Sequence, residues 1–250
     1  MVFQQNPTLG GRRPGRPRAD SLDKPIKDQL IRATVQIVGQ NGTTDTSSVH
    51  IAREVGVQPS TINYNFASWA HLIAHAGRAA YLEHGETLWA RAIDAPSTPE
   101  DRLRAFVTAQ TDWAQAYPGW SGFFHFPHSA KRASAHMFDL FGDELRDCFS
   151  LSYARLYRLA ADVREGVVTP DNSWAETADP ERIMSDTENL AEALMVGWTS
   201  IGMVVWGARE NIERMGGEPV KKLNGYAKNR ALDAIIERLQ AHRREKKSSL

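Results

Sequence analysis

The sequence predicts an all-α protein with a small three-helix unit near the N-terminus, joined by one long helix to a larger helical unit. Apolar residues recur at three- and four-residue spacing through most of its 250 positions, which is the period of an amphipathic helix. No alternating apolar run lies between hairpin turns, so no strand is predicted. The predicted units are a disordered basic arm at 1–20, the three-helix unit at 21–70 and the larger helical unit at 71–250.

Three short helices are predicted first. Pro25 suits the first position of a helix, and the apolar pattern that follows it ends at Gly42. Serine and threonine at 43–47 supply capping candidates for a second helix, which ends at Gly56. Pro59 then opens a third helix of about two turns.

The rest of the chain is predicted to form longer helices. A helix begins at Trp69 and ends before the proline-rich break at 95–99, and Thr98 caps the next one. An aromatic segment follows at 120–126. Further helices are expected at about 127–140, 143–165 and 181–215, then a glycine-rich turn at 216–225 and a last helix to about Lys246.

Composition and charge bear on the expected partners and compartment of the protein. The 30 basic and 30 acidic residues balance to a net charge of zero, so overall charge predicts neither a nucleic-acid nor a membrane partner. The first 66 residues nevertheless carry eight Lys and Arg against five acids, a local excess of +3. The single Cys148 forms no intramolecular disulfide, and the polar N-terminus lacks an apolar signal, so we expect a cytoplasmic protein.

The segment 51–66 has the spacing of a helix-turn-helix, because a short helix bearing Ile51 and Ala52 is followed by a glycine turn and a second short helix. The second helix projects polar side chains that can bond to base edges and phosphate oxygens in a major groove. These residues are Gln58, Ser60, Thr61, Asn63, Tyr64 and Asn65.

This segment resembles the signature of the TetR (tetracycline-repressor-like) family. The residues in register with that signature are Gly42, Ile51-Ala52, Gly56-Val57, Thr61-Ile62, Tyr64, Phe66, Ser68 and Leu72. Three positions depart from it: Gln58-Pro59-Ser60 replaces Ser-x-Gly, Asn63 replaces a tyrosine, and Trp69 replaces a lysine. The resemblance implies a DNA-binding domain joined to a C-terminal ligand-binding and dimerisation domain. It also implies a repressor that binds a palindromic operator as a homodimer and leaves it when a small apolar or aromatic effector binds.

The arginines of the arm extend the predicted DNA contact, since Gly-Arg-Pro among arginines fits a narrow minor groove. A solvated basic tail is the alternative interpretation. The predicted DNA-binding residues are Arg12, Arg13, Arg16, Arg18, Ser47, Gln58, Pro59, Ser60, Thr61, Asn63, Tyr64, Asn65 and Trp69.

Aromatic residues are concentrated at 113–157. Most are expected in the core, and some are expected to line an effector cavity together with isolated polar groups. The predicted ligand-binding residues are Gln110, Trp113, Tyr117, Trp120, Phe124, His136, Met137, Phe141, Tyr153 and Trp198.

The penultimate helix is apolar nearly all round, which favours a dimer over a pair of helices within one chain, since both of its faces need cover. In TetR-like proteins the last two helices of each protomer pack as an intersubunit bundle. The predicted interface residues are Leu190, Leu194, Ile201, Val205, Ile212, Leu232, Ile235, Ile236 and Leu239.

Two other classes of protein stay open. A helical enzyme or a metal- or cofactor-binding protein would use His125, His128 and His136, although their spacing matches no standard zinc site. A DNA binder without a ligand would fill the aromatic region with its own side chains. No nucleophile motif or phosphate loop is present, so we predict no catalytic residue, no metal and no cofactor.

Overall fold

The computed structural model describes residues 25–95, 98–126, 130–170, 185–207 and 210–248, without the side chains of 204–214, 221, 224 and 242–248. Within these ranges every regular element is a helix, which confirms the predicted all-α class. The helices are α1 Ile26–Asn41, α2 Ser48–Val55, α3 Pro59–Asn65, α4 Trp69–Ile93, α5 Pro99–Ala116, α6 Pro118–His125, α7 Lys131–Glu165, α8 Thr187–Gly207 and α9 Glu210–Ser248.

Local capping explains where the first helices begin. The hydroxyl of Ser47 accepts a hydrogen bond from the His50 amide, and Ser68 and Thr98 play the same part for α4 and α5. Each hydroxyl satisfies an amide that has no partner inside its helix. Gly56 ends α2 with φ 76° and ψ 28°, the left-handed conformation that glycine adopts without a steric penalty. The predicted bounds of α1 to α5 are confirmed within two residues.

The two halves of α7 were predicted as separate helices, with a break between residues 140 and 143. The structure confirms this break, since α7 consists of two helical parts that meet at a kink at Phe141, where φ is −132° and ψ is 15°. The aromatic segment before it also contains a helix, α6, that the sequence analysis did not predict. Pro118 occupies its first turn, where a proline costs no hydrogen bond.

The predicted turn at 216–225 begins where the structure has a break. Two helical parts of α9 meet at Gly217, where φ is 63° and ψ is −157°, and the rest of the predicted turn is helical. Pro219 follows within two residues, so it lies in the first turn after the break, where its missing N–H needs no acceptor.

Three apolar clusters hold the helices together. The first, the head core, joins α1 to α4 and consists of Leu30, Ile51, Ala52, Ile62, Phe66 and Leu72. The second, the joint core, places Val35 and Val38 of α1 against Trp113, Trp120 and Phe123. The third is the C-terminal core of α4, α5, α7, α8 and α9, which includes Leu103, Leu159, Val196 and Leu239. α1 therefore contributes to both the head core and the joint core.

Candidate nucleic-acid interface

The α2–α3 pair presents one polar face to solvent. Ile51 and Ile62 are buried and fix the crossing of the two helices, and Ile62 is the one buried residue of α3. The side chain of Tyr64 is 91% exposed, and Gln58, Pro59, Ser60 and Asn63 are also exposed. A projecting short helix with this chemistry fits the width of a major groove.

Two of the predicted residues of α3 are less accessible to a partner than the others. Thr61 and Asn65 are half-buried, and the Asn65 amide donates a hydrogen bond of 2.8 Å to the Thr61 carbonyl. Asn63 lies on the exposed side, so its amide can present a donor and an acceptor together to an adenine edge.

The remaining DNA-binding candidates differ in their surroundings. Ser47 is exposed, and its hydroxyl caps α2. Trp69 is half-buried and packs against both the head core and the joint core, so its ring supports the head rather than extending from it. The arm arginines Arg12, Arg13, Arg16 and Arg18 lie outside the described residues. These assignments stay predictions.

Two exposed cations of the head were not among the predicted contacts. The Lys27 ammonium lies 5.6 Å from the centre of the Phe66 ring, just after α3, and Arg53 lies on α2. Lysine and arginine near a projecting helix are the usual partners of phosphate oxygens. The positive excess of the first 66 residues was the signal that could have identified them.

Comparison with known proteins identifies a relative for part of the chain. No protein-family model matches it. An HTH-type transcriptional regulator BetI from Brucella canis is 33% identical over 87 residues, which are 35% of this chain and 43% of that protein. The chain thus matches less than half the length of this relative.

Two solved structures share the fold. Mycobacterium smegmatis BioQ aligns with 88% of this chain and 99% of its own at 17% identity and a TM-score of 0.51. A protein of unknown function from Rhodococcus sp. RHA1 aligns with 86% and 95% at 16% identity and a TM-score of 0.54. The resemblance to TetR-like regulators is confirmed.

An aromatic group surrounds Trp113, which is 6% exposed. The ring of His84 lies 4.3 Å from the Trp113 ring, between centroids, and those of Tyr117 and Phe124 lie at 5.3 and 6.1 Å. His84 Nε2 is 3.0 Å from Gln110 Oε1. Burial lowers the pKa of His84 to about 4, although this hydrogen bond opposes the shift. The structure therefore brings four of the ligand-binding candidates together around a neutral histidine.

Three other candidates lie in the joint core or at its edge. Trp120 is fully buried, and its Nε1–H donates a 2.7 Å hydrogen bond to the Val35 carbonyl of α1. Met137 is buried beside it, and Phe141 packs at the edge of this core, at the kink of α7. These positions make them contacts of α6 and α7 with α1 and α4.

The last three ligand-binding candidates are more exposed. His136 is half-buried on α7, the Tyr153 ring lies 4.4 Å from the Phe149 ring with 40° between their planes, and Trp198 is 69% exposed on α8. The exposure of Trp198 places it with the neighbouring Ile201, which is 40% exposed, on an outer apolar surface.

The start of α6 packs directly against the end of α1. A β-carbon on Gly119 would lie 1.9 Å from the Val38 carbonyl oxygen and 2.7 Å from the Gly42 amide nitrogen, so the two backbones touch. The Tyr117 hydroxyl accepts a 3.5 Å hydrogen bond from Gln36 of α1. α6 is therefore seated directly on the end of the first helix of the head.

A second connection runs through histidines of α4. His75 lies edge-on to Phe66 at 5.5 Å and to Phe141 at 5.0 Å, so one ring touches both the end of α3 and the kink of α7. Arg78 lies over Phe141 and pairs with Glu144. Burial, Lys27, His71 and Arg78 together lower the pKa of His75 to about 4, so its ring is neutral at pH 7.

The dimer candidates fall into three groups. Leu190 and Leu194 are half-buried, and Ile201 is partly exposed. The side chains of Val205 and Ile212 lie outside the described set. Leu232, Ile235, Ile236 and Leu239 are instead buried in the C-terminal core of the same chain.

This burial differs from the prediction because α9 packs against α5, α7 and α8 of its own protomer. Arg238 pairs with the buried carboxylate of Glu192 at 2.8 Å, and Arg104 pairs with Asp233 at 2.6 Å, which fixes that docking. Among the described side chains of α8 and α9, the exposed large apolar ones are Trp198, Ile201, Met215, Leu223 and Tyr226.

The described part of the chain also contains a polar cleft of about 530 Å³ between the end of α7 and the start of α8. Arg158, Arg164 and Glu165 line one side, and Glu188 and Asn189 line the other. These groups are engaged with one another or with the core: Arg164 bonds to Asn189 at 3.0 Å, and Arg158 bonds to the buried Asp162 at 2.7 Å. The side chains that line the cleft therefore form a structural network of ion pairs and hydrogen bonds.

The histidine alternative finds little support in the described ranges. His125 Nδ1 lies 2.9 Å from the Ser121 carbonyl, and His128 lies outside those ranges. Among the described residues, no three His, Cys, Asp or Glu side chains are placed to hold one metal ion.

No described helix is long and apolar enough to cross a bilayer.

Proposed function

We propose that this chain is a transcriptional repressor that binds a palindromic operator as a cytoplasmic homodimer and is released by a small, apolar or aromatic effector. The single observation that carries the proposal is α3, a short helix whose inner face is Ile62 and whose outer face is polar. Burial of Ile62 holds the helix on the head, while Gln58, Ser60 and Asn63 remain available to base edges.

The exposed apolar surface of α8 and α9 supports the homodimer. Trp198 and Tyr226 expose 69% and 64% of their surfaces, and large aromatic residues are the usual anchors of an interface. A twofold dimer would set two copies of α3 about 34 Å apart, one turn of B-DNA, and so read both halves of a palindrome.

Release requires that the effector favour a different head position. Gly119 of α6 contacts the end of α1, and His75 of α4 contacts Phe66 at the end of α3, so movement of α6 or α4 would change the spacing of the two recognition helices. A ligand shifts this equilibrium only by its difference in affinity for the two positions. Binding between α4, α5 and α6 would supply that difference.

Selection from random duplexes tests the proposal. The purified protein is mixed with random-sequence DNA, bound duplexes are sequenced, and the mass in solution is measured alongside. The expected result is one enriched palindrome and a mass of twice 27.9 kDa. No enrichment at low salt refutes the assignment, because electrostatic binding is strongest there.

A matched pair of variants then tests the recognition helix. Asn63→Ala removes one amide that can contact a base, so operator affinity should fall about 5- to 150-fold, the usual value of one such pair. Gln115→Ala changes an exposed residue of α5 and should leave affinity unchanged. Equal affinity of Asn63→Ala and wild type would show that α3 does not read the operator.

A further inference from the structure

Trp113 buries a hydrogen-bond donor that no group in the described part of the chain accepts. Its Nε1–H is the unpartnered atom, although the residue is only 6% exposed. Other buried tryptophans are satisfied: Trp120 donates to the Val35 carbonyl at 2.7 Å, and Trp89 donates to the Ser152 hydroxyl at 3.2 Å. An unpaired buried N–H is costly, and such groups in native proteins commonly mark a place that a ligand or water satisfies.

Trp113 and five side chains linked to it, directly or through a neighbour, by ring contacts or a hydrogen bond are all uncharged. We call them the Trp113 cluster: Tyr81, His84, Gln110, Trp113, Tyr117 and Phe124. Burial, which lowers the pKa of His84 to about 4, also raises that of Tyr81 to about 12, so both are neutral at pH 7. The flat faces of Trp113 and Phe124 are nearly parallel, with 16° between their planes.

The polar atoms of the cluster offer donors to a ligand. The Gln110 oxygen faces His84 Nε2, so Nε2 must carry the proton of this neutral ring and donate it. The amide nitrogen of Gln110 then keeps its two N–H groups, and Trp113 adds its indole N–H. A molecule with an acceptor oxygen is the natural complement to this set.

The cluster borders the surface. Tyr81, His84, Tyr117 and Phe124 are each half-buried, whereas Trp113 at their centre is buried. A small molecule can therefore reach the indole from solvent when these side chains move apart, and its rings would stack on the faces of Trp113 and Phe124.

We propose that the Trp113 cluster is the effector site and that the effector is an uncharged aromatic molecule whose carbonyl oxygen accepts the Trp113 Nε1–H hydrogen bond. That the bound molecule is an effector rests on the proposed function, whereas the binding chemistry of the cluster does not depend on it. A carboxylate would find no cation among the six side chains of the cluster, and burying an unpaired charge is far more costly than burying a ketone.

Two isosteric probes test the site. Acetophenone carries the carbonyl, and α-methylstyrene replaces its oxygen with a CH₂ group. The protein is labelled with ¹⁵N-tryptophan, and its seven indole N–H signals are followed during titration with each probe and with benzoate. The missing signal of Trp113→Phe assigns the Trp113 resonance.

The expected result is a downfield shift of the Trp113 signal with acetophenone. α-Methylstyrene should bind about tenfold more weakly, because it leaves the indole N–H unpaired. Benzoate should bind more weakly than either. Trp113→Phe should bind both isosteres equally, whereas Trp89→Phe, which also removes a large indole but one already bonded to Ser152, should keep the preference for acetophenone.

Three outcomes overturn the proposal: an unshifted Trp113 signal, equal affinity of wild type for the two isosteres, or tighter binding of benzoate. The titration contains no DNA, so its result is independent of the operator selection. An enriched palindrome with an unshifted indole refutes this site and leaves the regulator standing. A shifted indole without an enriched palindrome refutes the regulator and leaves the site.

Discussion

Replacing Gly119 by alanine should push α6 away from the end of α1. The new β-carbon would lie 1.9 Å from the Val38 carbonyl oxygen, 2.7 Å from the Gly42 nitrogen and 2.8 Å from its Cα. All three are backbone atoms, so no flexible side chain can swing away. α6 must therefore retreat from the end of α1 until the closest contact reaches about 3.4 Å, a movement of about 1.5 Å.

The energetic effect follows from this displacement. Forcing one extra carbon into a packed contact costs about 1–3 kcal/mol of unfolding free energy. For a chain of this size, each kcal/mol lowers the melting temperature by about 2–4 °C, which predicts a fall of about 2–12 °C for Gly119→Ala. Gly122, on the same helix, has open space around its β-position. Its change to alanine should raise stability by up to about 1 kcal/mol, because glycine is the poorer helix former.

Thermal and urea unfolding of the two variants at one protein concentration make the comparison. The reasoning predicts opposite signs for two identical substitutions three residues apart. Gly119→Ala as stable as wild type would show that α6 does not rest on α1, and an equal loss in Gly122→Ala would show that the effect belongs to the helix rather than to the contact.

Three further predictions concern other contacts. Trp120→Phe should lower the unfolding free energy by about 1–3 kcal/mol more than Trp113→Phe, because only Trp120 loses a buried hydrogen bond; equal losses in urea unfolding would contradict this. The pKa of His75 is about 4 in the folded protein and 6.5 ordinarily, so the unfolded chain binds the proton more readily and stability should fall as pH drops from 6.5 towards 4. His75→Phe should show a smaller fall between urea titrations at pH 7.5 and 5.0, and an unchanged one would exclude His75 as a source. Trp198→Lys should shift the mass in solution from a dimer to the 27.9 kDa chain, while Phe138→Lys, at an apolar position that is 57% exposed on α7, should not; a dimeric Trp198→Lys would place the interface elsewhere.

Local signals in the sequence predicted the head well. The capping hydroxyls of Ser47, Ser68 and Thr98 act on amides three residues away, so the start of each helix is a property of neighbouring residues. The polar face of α3 can also be predicted from the sequence, because its exposed positions are spaced around Ile62. Such features need no knowledge of the distant chain.

Long-range packing decided what the sequence could not predict. No helix was predicted in the aromatic segment at 120–126, but α6 forms there in contact with α1, since Gly119 leaves room for the Val38 carbonyl. The apolar stripe of α9 predicted a partner subunit, yet ion pairs from Arg238 and Asp233 dock it on its own chain. The unpartnered N–H of Trp113 is invisible in a sequence, because it depends on which acceptors distant helices bring near.

The position of α1 in two cores limits how the molecule can be divided. Leu30 packs in the head core, while Val35 and Val38 face the joint core with Trp120. A fragment ending at residue 70 would expose that second apolar face of α1 to water, so the fragment would aggregate and fold poorly. A graft of the first three helices onto another protein would have to carry α4 and α6 as well, so the smallest transferable unit is larger than the α2–α3 pair.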